Sequence, residues 1–151
     1  MAISQAMTTS FKVEILDGIH NFGTGVIRAS TAADVFKLAL YTSSATLDST
    51  TTAYTTSNEV SSSGTNYTAG GLTLTISQVP TSTSTTAWLD FDDLTFASAT
   101  LTANGALIYN ATQSNKAVAV LAFGGDKTST AGNFTIQFPA ATSTTAILRI
   151  A

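Results

Sequence analysis

The C-terminal third of the chain is a succession of strand-length runs. Ala106-Leu-Ile-Tyr-Asn110, Ala117-Val-Ala-Val-Leu-Ala-Phe123, Asn133-Phe-Thr-Ile-Gln-Phe138 and Ala146-Ile-Leu-Arg-Ile150 are apolar or alternating, and Gly, Asn, Asp, Ser and Thr separate them. Such runs, bounded by turn residues, read as β-strands. A meander of this kind leaves little room for catalytic chemistry. A chain built this way works through its surface and its shape.

The N-terminal two thirds adds to the same pattern. Val35-Phe-Lys-Leu-Ala-Leu-Tyr41 places Phe36, Leu38 and Leu40 on one face and Val35, Lys37, Ala39 and Tyr41 on the other. One apolar face and one mixed face predict a strand with a single side on the core. Leu72-Thr-Leu-Thr-Ile76 alternates cleanly, and Ala87-Trp-Leu-Asp-Phe91 and Leu94-Thr-Phe96 follow. Residues 26–29 make a further short candidate. Asn104-Gly105 is a hairpin signal, but too few residues separate it from Thr100 for a separate strand. A bulge inside one long strand over residues 100–110 is the preferred reading.

Helical spacing occurs once. Phe11, Ile15, Ile19 and Phe22 recur at intervals of four, four and three, one face of a short helix packed on the sheet. Ser10 is the expected N-cap, and Gly18 with His20-Asn21 ends the helix after about two turns. Residues 1–10 have no periodicity and read as an arm that orders against a neighbour. Residues 43–70 form a long irregular segment rich in Ser, Thr and Gly, with Tyr54, Val60 and Tyr67 to pin it. Segments this long inside a compact domain are uncommon unless they carry function, so it is the first expected contact surface.

These elements define an all-β fold. The expectation is one antiparallel β-sandwich over residues 11–151, jelly-roll or Greek-key like, with one short N-terminal helix. A chain of 151 residues fits a single domain and buries about 68–70% of its unfolded surface without staples. The absence of Cys removes disulfides, thiolate metal sites and thiol nucleophiles.

Charge excludes further classes. Charged residues make up 10% of the chain, against about 25% in an ordinary domain. Hydroxyls supply the polarity instead, which suits a protein docked in an assembly. Net charge is −3, and Lys12, Arg28, Lys37, Lys116, Lys127 and Arg149 are scattered, so the basic footprint of a nucleic-acid binder is missing. No apolar run approaches the roughly 20 residues of a membrane helix, and the start of the chain lacks the pattern of a signal peptide.

Few residues are candidates for chemistry. Asp90, Asp92 and Asp93, with Asp126, could offer oxygen ligands to a cation. Asp90 and Asp92 alternate with Leu89 and Phe91, however, and a solvent-facing edge of a half-buried strand is the expected arrangement. His20 is the sole His, with Asp17 three residues before it, and reads as a packing or capping residue. No Ser lies in a Gly-x-Ser-x-Gly elbow. Gly124-Gly125-Asp126-Lys127-Thr128 reads as a tight turn, because it lacks the context of a phosphate loop. Asn66, Asn110 and Asn133 match the glycosylation pattern, as chance allows in a Thr-rich chain. Trp88 and the tyrosines could stack on sugar, although packing or an interface is the better reading of Trp88. No catalytic, cofactor-binding or metal-ligating residue is assigned.

Several stretches together resemble a family of small virion proteins of tailed bacteriophages. They are Phe11-Lys-Val-Glu-Ile-Leu-Asp-Gly-Ile-His-Asn-Phe22, Phe36-Lys-Leu-Ala-Leu-Tyr-Thr-Ser-Ser-Ala-Thr-Leu47, Asn58-Glu-Val60 and Tyr67-Thr-Ala-Gly-Gly71. Gly105-Ala-Leu-Ile-Tyr-Asn110, Asn115-Lys-Ala-Val-Ala-Val120, Asp126-Lys-Thr-Ser-Thr-Ala-Gly132 and Ile147-Leu-Arg-Ile150 complete the set. Some members of that family are capsid decoration, or cement, proteins. The resemblance implies a non-enzymatic virion part, made in the bacterial cytoplasm, that binds the major capsid protein and copies of itself as a dimer or trimer. It implies neither a cofactor nor direct contact with nucleic acid or membrane. Another virion position (head–tail joint, tail or fibre) and a cellular carbohydrate-binding sandwich are the alternatives.

Overall fold

The computed structural model describes residues 2–16, 18–23 and 33–150. The chain runs β1 (Ala6–Met7), α1 (Thr9–Leu16), β2 (Phe36–Tyr41), β3 (Leu72–Thr73), β4 (Ile76–Thr83), β5 (Thr86–Phe91), β6 (Leu94–Asn110), β7 (Lys116–Ile136) and β8 (Leu148–Ile150). The strands form a five-stranded sheet in the order β1-β7-β6-β2-β3 and a three-stranded sheet in the order β4-β5-β8. All pairings between named strands are antiparallel. The expected all-β sandwich is therefore the architecture, and the chain changes sheet between β3 and β4, between β5 and β6, and between β7 and β8. The candidate strand at residues 26–29 lies outside the described residues.

The long hairpin β6–β7 is the spine. Its turn is set by Asn110, whose side-chain oxygen accepts the N–H groups of Thr112 and Gln113 at 3.1 Å each, the local bonding that makes Asn a turn residue. At the bulge, Ala103 pairs with Lys127 and Gly105 with Ala122. Asn104 thus stands opposite residues 123–126, and its amide donates to Asp126 Oδ1 at 2.8 Å. The bulge expected at Asn104-Gly105 is present, but the surplus residues belong to β7. Gly124 and Gly125, at φ of 70° and 136°, form that bulge in place of a tight turn between strands. Gly105 has a separate reason to be glycine: a Cβ there would lie 2.6 Å from the Leu121 carbonyl oxygen.

Between the sheets lies the main core. Phe36, Leu38, Leu40, Ile108 and Val118 of the larger sheet meet Leu89, Phe91 and Leu148 of the smaller one. Phe11 of α1 and Phe22 close one end, with the Phe22 and Phe36 rings stacked at 4.2 Å. The helix has the expected two turns, but its N-cap is Thr8, one residue before Thr9. Thr8 Oγ1 accepts the Phe11 N–H at 3.2 Å, the usual bond from an N-cap to the third helical residue. Ser10 lies inside the helix because Thr8 is anchored first: it is fully buried, and its N–H donates to the Val118 carbonyl at 3.1 Å.

Two expectations about covering elements change. The arm is not free for a neighbour. Ala6 pairs with Val120 and Met7 with Ala119, and the Ser4 N–H donates to the Leu47 carbonyl at 2.9 Å. The arm is thereby tied to its own domain, at an otherwise open edge of β7. The second face of β2 is not exposed either. Ala39 and Tyr41 are fully buried in a second cluster with Leu107, Tyr109, Ala117 and Val120, under Ala45 and Leu47. The long segment after β2 folds back over that face.

Candidate functional site: a loop clamped over the sheet

The segment at residues 43–70 is held down by polar bonds. Its centre is Glu59, which joins the sheet by an isolated bridge to Tyr41. The Glu59 carboxylate accepts the Tyr54 hydroxyl at 2.7 Å, the Tyr67 hydroxyl at 2.6 Å and the Gly70 N–H at 2.7 Å. Tyr67 Oη in turn accepts the Leu40 N–H at 3.0 Å, tying the clamp to β2. From the sheet side, Tyr41 donates to the Thr55 carbonyl at 2.6 Å and Tyr109 to the Gly70 carbonyl at 2.7 Å. The Tyr54 and Tyr109 rings stack at 4.7 Å. All four tyrosines of the chain therefore serve this one arrangement.

Backbone geometry completes the clamp. Gly70 and Gly71 have φ of 82° and 72°, a region where side chains are strained. A Cβ on Gly71 would stand 1.8 Å from the Leu38 carbonyl oxygen. The segment re-enters the sheet at β3 only because this position has no side chain. Asp48 secures the near end of the loop by accepting the Thr50 N–H at 2.7 Å and its hydroxyl at 2.6 Å.

Electrostatically the cluster favours neutral phenols. Burial pushes the hydroxyls of Tyr41, Tyr54, Tyr67 and Tyr109 above their ordinary value, and the negative charge of Glu59 pushes them further. A phenol raised in this way is a hydrogen-bond donor and a poor nucleophile. What this constellation does is fix a loop. Beside it, Thr42, Ser61, Thr65, Thr100, Thr102 and Thr128 line an open groove of about 310 Å³, so the clamped loop continues into a hydroxyl-rich surface on the β6–β7 ribbon.

The residues singled out from sequence do not converge. Asp92 and Asp93 are exposed as expected, but Asp90 is buried, at 1% exposure. Asp90 alternates with Leu89 and Phe91 on β5, beside β8, and the backbone N–H of Ile147, just before β8, reaches its carboxyl. Asp126 is held at the β7 bulge by Asn104. No group of three or more His, Cys, Asp or Glu that could hold a metal occurs among the described residues. His20 packs edge-on to Phe11 at 4.7 Å between ring centroids, and its Nδ1 is 3.0 Å from Asn110 Nδ2. Asp17 lies outside the described residues. The acid that serves this corner is Asp34, whose Oδ2 accepts Asn110 Nδ2 at 2.8 Å and the Asn21 N–H at 3.1 Å.

Trp88 is half-buried and lines an apolar slot of about 160 Å³ with Phe11, Phe22, Leu89 and Leu148, in keeping with packing. Among the glycosylation matches, Asn110 is fully buried, while the Asn66 amide donates to the Ser98 carbonyl at 2.9 Å. No described helix is long and apolar enough to cross a membrane. Reading the sequence missed Glu59, Tyr41 and Tyr109 as a set. The available signal was a single Glu in a Ser/Thr-rich loop, in a chain with few charges and few tyrosines.

No protein-family model, no curated protein and no solved structure matches this chain.

Proposed function

We propose that this protein is a structural component of a tailed-phage virion, a decoration protein that binds the outer capsid surface and bridges major capsid subunits. The observation that carries the reading is the clamped loop. A long Ser/Thr-rich segment, the sort that is ordinarily mobile, is fixed over a sheet by Glu59 and four tyrosines. A fixed surface loses little conformational entropy on docking. Its scarcity of charge lets it approach another protein without desolvating ions. Many identical copies on a shell then add weak contacts across joints that packed DNA strains. The resemblance to small virion proteins points the same way. Because the N-terminal arm is spent on its own domain, the loop rather than the arm is the contact surface in this reading.

The test uses purified protein with undecorated heads and, separately, isolated tails. Co-sedimentation with heads and a raised temperature of head disruption are expected. Charged substitutions on the exposed loop residues Thr56 and Ser62, Thr56→Lys with Ser62→Lys, should weaken binding at least tenfold while the protein still folds. Binding to tails alone would assign the other virion position, and binding to neither would refute a virion role.

A further inference from the structure

Asp90 is a buried acid outside the loop clamp. Its Oδ1 accepts the Phe91 N–H at 2.9 Å, while Oδ2 is buried with no hydrogen-bond partner. The Ile147 N–H, just before β8, also faces the carboxyl. Ile147 connects β8 to a turn at residues 140–146, knotted by the Thr145 hydroxyl on the Ala140 carbonyl and by the Ala146 N–H on the Thr142 carbonyl. Arg149 fastens that turn to β8 through the Thr144 carbonyl.

Little nearby can neutralise a charge on Asp90. On β4 its cross-strand partner is the uncharged Gln78. From the connection between β5 and β6 comes Asp93, a like charge whose Oδ1 accepts the Phe138 N–H at 2.8 Å. On β8 the basic residue is Arg149, which pairs across from Trp88 and donates from one guanidinium nitrogen to the Thr144 carbonyl.

We propose that Asp90 is an acid-responsive latch on the C-terminal strand: its neutral carboxyl keeps β8 and the turn at residues 140–147 closed, and its ionisation loosens them. An ionised carboxylate with an unpartnered buried oxygen is costly, and opening the cover returns it to water. Burial raises Asp90 above the ordinary 3.8; the Phe91 and Ile147 N–H groups favour the carboxylate and offset part of that, and the Asp93 charge adds to the rise. A raised acid stabilises the closed form fully below pH 3.8, and that contribution is lost as pH rises through the folded-state value. In that interval the opening equilibrium constant grows up to about tenfold per pH unit. It levels off once the closed form is ionised too.

Hydrogen exchange of the Leu148, Arg149 and Ile150 amides, corrected for intrinsic rate and followed from acid to neutral pH, reads the latch directly. The wild type should show that rise, and Asp90→Asn should abolish it. Asp93→Asn should end the rise at a lower pH and make it smaller, because it removes the like charge from the closed form. A flat wild-type profile would overturn the proposal, as would a rise that Asp90→Asn leaves intact. Should Asp90→Asn not fold, a rise that Asp93→Asn leaves in place would overturn it equally.

Discussion

The two faces of the five-stranded sheet are sealed by different chemistry. Toward the smaller sheet, Phe36, Leu38 and Ile108 meet Leu89 and Phe91, hydrocarbon against hydrocarbon. On the opposite face Ala39, Tyr41, Leu107 and Tyr109 lie beneath a loop, and tyrosine hydroxyls hold that loop through the Glu59 carboxylate and backbone carbonyls. The first seal needs only apolar area and tolerates approximate shape. The second depends on direction, because each phenol has one proton to give and one acceptor placed for it. The contrast teaches that a sheet can be buried on both sides without a third layer of secondary structure, provided the cover brings its own hydrogen-bond partners.

The largest expected effect falls where the two seals share a residue. Gly71 links the loop to β3, with the Leu38 carbonyl 1.8 Å from any Cβ placed there. Gly71→Ala therefore combines a backbone clash with a strained φ of 72°. It should cost more than about 4 kcal/mol and yield a protein that does not fold at 37 °C, as circular dichroism would report. A well-folded Gly71→Ala protein would mean that the loop can re-enter the sheet by another path.

Alkali should attack the polar seal and leave the apolar one without a cause to fail. All four phenols are held above the ordinary 10.0, by burial before the Glu59 charge. Their contribution is complete below pH 10 and is lost as pH rises beyond it, since the unfolded chain releases phenolic protons that the folded chain retains. Spectrophotometric titration of tyrosine should show no phenolate before unfolding begins, then a cooperative release. Any tyrosine ionising near pH 10 while the fold persists would contradict the buried arrangement.

Truncations then separate the two faces. Leu38→Ala removes a fully buried side chain from the hydrocarbon side and should lower global stability by about 2–5 kcal/mol. Glu59→Ala strips the acceptor from two phenols and one N–H, and should cost about 1–3 kcal/mol. The difference in kind matters more than the difference in size. Protease should cut the Glu59→Ala loop around residues 48–60 while the rest of the domain is intact, whereas Leu38→Ala should become susceptible only as the whole molecule unfolds.

The sequence announced the apolar seal and was silent on the polar one, for a physical reason. Alternation along Leu72–Ile76 and the runs at residues 106–110 and 117–123 carry a period, and a period is visible within a few residues. Glu59 and its phenols are separated by 5, 8 and 18 positions from Tyr54, Tyr67 and Tyr41, distances set by the course of the loop and by no repeat. Asp90 misled through its period: alternation with Leu89 and Phe91 pointed to solvent, but Asp90 is buried and the N–H that reaches its carboxyl comes from Ile147, near the end of the chain. Thr8 was passed over as a cap because Ser10 stands at the start of the apolar spacing, and only the bond to Val118 fixes which hydroxyl begins the helix.

The smallest effect concerns hydroxyls that face water. On the far half of the β6–β7 ribbon, Thr102 and Thr128 share a hydrogen bond of 2.9 Å between exposed side chains. Thr102→Val keeps the β-branched shape and removes only that bond. A cross-strand pair is worth about 0.2–1 kcal/mol, and water replaces the lost partner, so the change should be at the low end. The same substitution at Thr8 has different consequences, because that hydroxyl is fully buried and caps α1. Thr8→Val should cost about 1–2 kcal/mol. Paired denaturation curves test this directly. Equal losses at the two positions would show that the ribbon's threonines carry structural load, and would remove the distinction between a surface free to dock and a polar seal already occupied.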